Sequence, residues 1–170
     1  MCQKIISYHN HSLQDSAITD PVNPINKDIR NCTIKDILDP KTFGETILVN
    51  YIKYKLMSCV KKYSETFSYC TTTTLSQLDI LCYESNQHKA GYDFHVDFGP
   101  TVSKRSLSIS VCLNNDYTGG EFVFHQQGSN NLIFPQNVGD VIIFPSNFMF
   151  PHQVNKIKSG TRFALVGWAI

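Results

Sequence analysis

The segment GYDFHVDFGP, residues 91–100, sets His95 two positions before Asp97. In an extended strand, side chains at i and i+2 point the same way. The imidazole and the carboxylate then share one face, and Phe94, Val96 and Phe98 take the other. Such a pair suits a divalent transition metal, but two donors do not make a site. A third must come from elsewhere. His152, in FPSNFMFPHQV, and His125, which ends GGEFVFH, are the rival donors downstream. HQQGSNN after His125 reads as a loop, which makes His125 a surface histidine. Ten residues beyond His152 stands Arg162, in GTRFALVGWAI. Alternation places Arg162, Ala164, Val166 and Trp168 on one strand face, where a guanidinium needs a buried anion.

Donors so far apart must be carried by a sheet. LDILCYE (78–84) and RSLSISVCLN (105–114) alternate as strands do. In the second, Leu107, Ile109, Val111 and Leu113 share one face, and Ser106, Ser108, Ser110 and Cys112 the other. NNDYTGGEFVF reads as a turn, with Gly119 and Gly120, leading into a strand. FPQNVGDVIIFPS and GTRFALVGWAI are two more strands, each announced by a glycine-containing turn. Two helices are expected, around 33–38 and 43–62; the second rests on Ile47, Leu48, Tyr51, Ile52, Leu56 and Cys59 at three- and four-residue spacing. DPVNPIN (20–26) is a loop by its prolines and asparagines, and TTTT (71–74) is strand-compatible. Short strands with few helices among them predict a mainly β fold, a barrel or sandwich of jelly-roll type with N-terminal supporting helices.

A length of 170 residues, 42% hydrophobic and 17% charged, predicts a single globular domain: a helical N-terminal layer over about 1–65 and a β core over about 66–170. The formal net charge is +1, and the densest basic patch, KYKLMSCVKK (53–62), reads as the solvated face of a helix, so charge lends no support to a nucleic-acid partner. None of the six cysteines forms a CxxC pair, and MCQKIISYHNHSLQDS shows no signal-peptide pattern. Reduced thiols in a cytoplasmic compartment are expected. No apolar run approaches the length that spans a bilayer.

Two histidines and one carboxylate drawn from distant strands of one barrel form a facial triad, the set associated with non-haem Fe(II) oxygenases; zinc is the competing metal, although structural zinc wants a fourth protein ligand. Here the chain resembles a known family. CYESNQHKAGYDFHVD, VCLNNDYTGGEFVF, FPQNVGDVIIFPS, PHQV and GTRFALVGWA, in that order across about 78–170, are similar to the 2-oxoglutarate/Fe(II)-dependent dioxygenases, in particular the prolyl 4-hydroxylase-like group. More faintly, IRNCTI and the following helix resemble that family's N-terminal support region.

The resemblance implies a double-stranded β-helix (jelly roll) in which His95, Asp97 and His152 hold Fe(II). It further implies that Arg162 pairs with the distal carboxylate of 2-oxoglutarate, in the two-pronged geometry a guanidinium offers. Tyr83 matches the family tyrosine on the strand before the metal motif, and Ser110 and Trp168 join Arg162 and Tyr83 as candidate cosubstrate contacts. The implied reaction is hydroxylation of a C–H bond by O2, coupled to decarboxylation of 2-oxoglutarate to succinate, with ascorbate as a candidate reductant. Asp97 favours hydroxylation over halogenation, because a halogenase of this fold gives up that carboxylate to admit halide. A prolyl residue in a peptide or protein is the substrate the resemblance favours. The alternatives are a free amino acid, another small molecule, another side chain, a nucleobase, or no catalysis at all in a jelly-roll binding module.

Two departures stand out. Where some relatives place a tyrosine that helps hold the distal carboxylate, this chain has Cys112, and where a threonine often accompanies the arginine it has Val166. Water, Ser108 or Ser110 would then complete the pocket around Arg162. Tyr92 reads equally as packing or as substrate wall. Oligomeric state leaves no mark on the sequence.

Overall fold

Residues 78–83 are buried on both faces, as a strand is when it is covered on two sides. In the computed structural model, which describes residues 1–9, 14–15, 25–72, 74–126, 128 and 130–170, that strand lies inside a sheet. The elements are α1 (Cys2–His9), β1 (Gln14–Asp15), β2 (Arg30–Asn31), β3 (Thr33–Asp36), α2 (Phe43–Thr66), β4 (Leu75–Glu84) and β5 (Gly91–His95). After a 3-10 turn at Pro100–Val102 come β6 (Leu107–Cys112), β7 (Thr118–Gly119), β8 (Phe122–Phe124) and β9 (Leu132–Phe134). β10 (Val141–Pro145), β11 (His152–Val154), β12 (Ile157–Ser159) and β13 (Thr161–Ala169) complete the chain.

The described strands form a six-stranded sheet, β1-β3-β4-β13-β6-β10, a five-stranded sheet, β2-β5-β11-β8-β9, and a small β7-β12 ribbon. All pairings are antiparallel. The two large sheets enclose a core of Leu81, Tyr83, Phe122, Phe144, Val154 and Ile157. The outer face of the six-stranded sheet, through Leu78, Ile80, Ile109 and Leu165, packs on Ile5 of α1 and on Val49, Ile52, Leu56 and Val60 of α2. The mainly β jelly roll with supporting helices is the fold.

α2 begins with a capping box: Thr42 Oγ1 accepts from Glu45 N–H (3.2 Å), and Glu45 Oε2 accepts from Thr42 N–H (2.9 Å). It spans the helix expected at 43–62 and runs one turn further. Its buried stripe is Val49, Ile52, Leu56 and Val60, rotated from the expected one, and Ile47 and Tyr51 are exposed. Apolar residues lie all round this helix, so spacing leaves its phase open and the sheet it packs on sets it.

Two local expectations are corrected. Residues 33–36 form a strand, not a helix, paired with β4 through Thr33↔Cys82 and Ile34↔Leu81. The backbone partners on the edge of β4 outweigh a short and ambiguous helical spacing. Residues 2–9, where the sequence shows no clear period, form α1. Of the expected loop at 20–26, only 25 and 26 lie among the described residues.

Candidate active site

His95 closes β5 and His152 opens β11, and the ladder places them directly opposite one another. Their rings lie 4.2 Å apart. Asp97 sits in a bend two residues past the end of β5, so strand alternation alone does not aim it. Ser108 of β6 does: its hydroxyl donates to Asp97 Oδ2 at 2.6 Å and meets the Ser146 hydroxyl at 2.7 Å. Asp97 Oδ1 then lies 3.7 Å from His95 Nε2, and Oδ2 lies 3.7 Å from His152 Nε2. One donor atom from each of the three falls within 4.8 Å of the others.

Both imidazoles are oriented from behind. His95 Nδ1 lies 2.9 Å from the Asp93 carbonyl and His152 Nδ1 lies 3.0 Å from the Phe150 carbonyl. A carbonyl only accepts, so each Nδ1 carries the proton and each Nε2 lone pair faces Asp97. The Tyr92 ring stacks on His95 at 3.4 Å, and Phe122 stacks on His152 at 5.2 Å. Burial and the neighbouring His152 push the His95 imidazole down to about 3, which keeps it neutral. Burial works against ionisation of Asp97, but the neighbouring histidines and the Ser108 hydroxyl outweigh it and hold the carboxyl below its usual range. A neutral imidazole at His95 and an ionised carboxyl at Asp97 are the states a metal requires of those ligands.

Arg162 and Tyr83 are cross-strand partners on β13 and β4, and each is 1% exposed. The guanidinium carbon lies 5.5 Å from the centre of the tyrosine ring. Arg162 Nε and Nη2 are buried and meet no acceptor. Burial pushes the Tyr83 hydroxyl up, so it stays protonated. The arginine stem is clamped by Gly120, whose φ is +68° and whose missing Cβ would stand 2.9 Å from Arg162 Cδ.

These residues line one cavity of about 390 Å³ between the sheets. His95, Asp97, His152, Arg162, Tyr83, Ser110, Val166 and Trp168 all face it. Ser108 faces it too, but its hydroxyl is committed to Asp97 rather than open to Arg162. His125 stands apart: it is exposed and meets the Asn131 side chain at 3.1 Å. Cys112, at the expected tyrosine position, donates to the Asn114 carbonyl (3.1 Å) and lies 4.0 Å from the Tyr117 hydroxyl.

The same cavity contains polar residues that sequence reasoning did not single out. Arg30 of β2 lies over the Tyr92 ring at 4.7 Å, and Arg105 lies over the Trp168 ring at 3.7 Å. Gln77 and Asp79 share the inward face of β4 with Leu81 and Tyr83. That face could have been read: extending the alternation that carries Tyr83 back along β4 puts Asp79 and Gln77 beside it.

The residues fit a divalent metal with an anionic cosubstrate. Metal–donor distances of about 2.0–2.2 Å span ligand separations of roughly 3–3.5 Å, so donors within 4.8 Å of one another need shorten their separations by no more than about 1–2 Å. A buried guanidinium with two unmatched nitrogens fits a carboxylate, because burying that charge alone is costly.

Comparison with known proteins gives the family and the fold. The family model of the 2OG-Fe(II) oxygenase superfamily matches residues 78–170. A PKHD-type hydroxylase of Prochlorococcus marinus (strain AS9601) is 37% identical over 91 residues, covering 52% of this chain and 40% of the relative. One of Psychrobacter sp. (strain PRwf-1) is 33% identical over 95 residues, covering 51% and 36%. The chain thus spans about two-fifths of the length of the curated relatives it matches. Among solved structures, a Trichoplax adhaerens prolyl hydroxylase in complex with a hypoxia inducible factor peptide fragment superposes with a TM-score of 0.79 at 17% identity, covering 99% of this chain and 74% of that one. A collagen prolyl hydroxylase from Paramecium Bursaria Chlorella virus-1 superposes at 0.62 and 16% identity, covering 99% and 88%.

Proposed function

Because the chain belongs to the 2OG-Fe(II) oxygenase superfamily, we propose that it is a dioxygenase hydroxylating a C–H bond, with a prolyl residue of a peptide or protein as its substrate. The family's metal, cosubstrate and oxidant are Fe(II), 2-oxoglutarate and O2. The observation that carries the reading is the shared cavity: three metal donors within 4.8 Å, and beyond them a buried guanidinium with two unmatched nitrogens.

In this reading His95 and His152 bind Fe(II) through Nε2 and Asp97 through a carboxylate oxygen. Arg162 takes the distal carboxylate of 2-oxoglutarate on the nitrogens that lack acceptors, and the protonated Tyr83 hydroxyl offers a further donor. Bound there, the metal and cosubstrate supply O2 activation coupled to decarboxylation of 2-oxoglutarate to succinate. The chain supplies orientation and a dry enclosure. Leu81, Phe122, Phe144 and Val166 wall the cavity, and the backbone carbonyls behind both histidines keep the Nε2 atoms turned inward. Residues 1–170 act as one oxygenase domain, ascorbate serves as external reductant, and a cytoplasmic setting suits the six free thiols.

The test is 2-oxoglutarate binding and succinate formation with Fe(II), for wild type, His95→Ala and Arg162→Ala. Wild type is expected to bind the cosubstrate and release succinate slowly without a prime substrate, and both variants to lose this. A wild type that binds metal but neither binds nor turns over 2-oxoglutarate overturns the reading and leaves a jelly-roll binding module.

A further inference from the structure

Asp79 is a carboxylate in an unusual place. It lies mid-strand on β4, is 2% exposed, and faces the cavity that holds the triad. Across the β3–β4 ladder it stands opposite Asp36, which lines the same cavity. Like charges directly opposite on neighbouring strands repel, so the pair is a standing cost to the fold.

The hydrogen bond that Asp79 accepts comes from Gln77 Nε2 at 2.6 Å. Gln77 is itself turned by Arg105, whose Nη2 donates to Gln77 Oε1 at 2.7 Å. The amide thus stands between the guanidinium and the carboxylate, and among the described ion pairs no cation comes within 4 Å of Asp79. Burial first, then Asp36, raises the Asp79 carboxyl to about 6; Gln77, Arg30 and Arg105 only partly offset this. At neutral pH the cavity wall therefore carries a largely ionised carboxylate without a matched charge.

This wall adjoins the metal site. Arg105 lies over Trp168, and Trp168 pairs across the sheet with Ser108, whose hydroxyl holds Asp97. Of the other charges that line the cavity, Asp97 faces the two histidines, Arg162 points to the cosubstrate end, Arg30 lies over the Tyr92 ring, and Arg105 is engaged by Gln77 and Trp168. Asp79 remains, with Asp36 at the exposed edge of the cavity, where one of its oxygens accepts from Leu38 N–H at 2.8 Å.

We propose that Asp79, with Asp36 beside it, selects the substrate by receiving a cationic group, the ammonium or guanidinium of a basic side chain close to the C–H bond that reacts. The inference rests on the oxygenase reading and names the substrate class for that site. A basic group there would relieve the Asp36–Asp79 repulsion and match the uncompensated carboxylate. An acidic substrate would add a third negative charge, and an apolar one would leave Asp79 buried and unmatched.

The test uses three capped peptides, acetyl-Lys-Pro-Gly-amide and its norleucine and glutamate counterparts. Binding is read by ligand-observed NMR to protein loaded with Zn(II) and 2-oxoglutarate. Wild type is expected to bind the lysine peptide roughly tenfold or more tighter than the norleucine one, and the glutamate peptide most weakly. Asp79→Asn, nearly isosteric and checked for folding by cooperative thermal unfolding, should erase the lysine preference. Asp79→Lys should turn it toward glutamate. Equal binding of the three peptides, no binding of the lysine peptide, or a lysine preference that survives Asp79→Asn overturns the inference. Cosubstrate binding by the wild type separates the two failures. Without it the oxygenase reading falls; with it, only the cation-selecting role does.

Discussion

Asp97 places one carboxylate oxygen 3.7 Å from His95 Nε2 and the other 3.7 Å from His152 Nε2, so a single side chain bridges strands β5 and β11. Without metal, two imidazoles with rings 4.2 Å apart are held facing that carboxylate by the Asp93 and Phe150 carbonyls and by packing. A divalent ion would replace the strained proximity with three bonds. Adding Mn(II) or Zn(II) to metal-free protein should therefore raise its melting temperature; an ion at a hundred times its dissociation constant adds about 2.7 kcal/mol. Asp97→Ala and His152→Ala should abolish the rise. An unchanged wild-type melting temperature, with metal in excess, would count against the site.

Arg162 tests the anion end. Arg162→Ala should weaken 2-oxoglutarate binding by about a hundredfold or more, as expected when a buried charge-assisted contact is lost. Arg162→Lys should recover only part, because an ammonium cannot offer two parallel donors. Isothermal titration with 2-oxoglutarate in the presence of Zn(II) reads both. Equal affinity in Arg162→Ala and wild type would place the cosubstrate elsewhere.

Gly120 gives an indirect probe of the same arginine. Its φ of +68° disfavours any side chain, and a Cβ would come 2.5 Å from Ile157 Cδ1 and 2.9 Å from Arg162 Cδ. Gly120→Ala should lower stability by about 1–3 kcal/mol and, by displacing the guanidinium, weaken 2-oxoglutarate binding. Chemical denaturation and titration measure the two effects separately. A destabilised variant with wild-type affinity would show that the arginine is held by other contacts.

Asp79 should make stability depend on pH in a direction opposite to that of a salt-bridged acid. Its carboxyl lies near 6 in the fold, above the ordinary 3.8, with Asp36, Gln77, Arg30 and Arg105 facing it. Between about pH 4 and 6 the folded state holds more protons on this group than the unfolded state does, so its contribution declines as pH rises. The penalty is complete above about pH 6 and absent below about pH 4. Asp79→Asn should therefore stabilise the protein by on the order of 1–3 kcal/mol at pH 7.5 and by little at pH 4. Thermal unfolding at both pH values would expose the opposite trend if the group is not burdened by burial.

Thr42 serves as a control remote from the cavity. Thr42→Ala removes one half of the α2 capping box and should cost about 1 kcal/mol, with cosubstrate affinity unchanged. A loss of affinity would mean that α2 positions the site more closely than its packing suggests.

Much of the site was legible because its chemistry depends on side-chain type and on the two-residue strand period. Alternation along 161–169 suffices to set Arg162, Val166 and Trp168 on the cavity side, and the His95-x-Asp97 spacing named the right pair, although Asp97 lies past the end of β5 and is turned by Ser108. His152 and Tyr83 were reachable through family resemblance. The strands β4, β6, β10 and β13 announced themselves by alternation or β-branched runs bounded by turns.

What the sequence determined by itself, then, is the candidate donor pair His95 and Asp97, the inward-facing Arg162 and the β architecture, because these follow from residue chemistry and local periodicity. Only the tertiary structure decided the rest. Residues 33–36 become a strand because β4 offers an edge, and α2 turns Val49 and Val60 inward because the sheet fixes its phase. Ser108 serves Asp97 instead of Arg162, since β6 passes beside the metal donors. Asp79, unremarked in LDILCYE, becomes a cavity carboxylate facing Asp36 once β3 pairs with β4. Each of these depends on which strand lies beside which, and pairing between distant segments is set by the packing of the whole chain rather than by any local pattern.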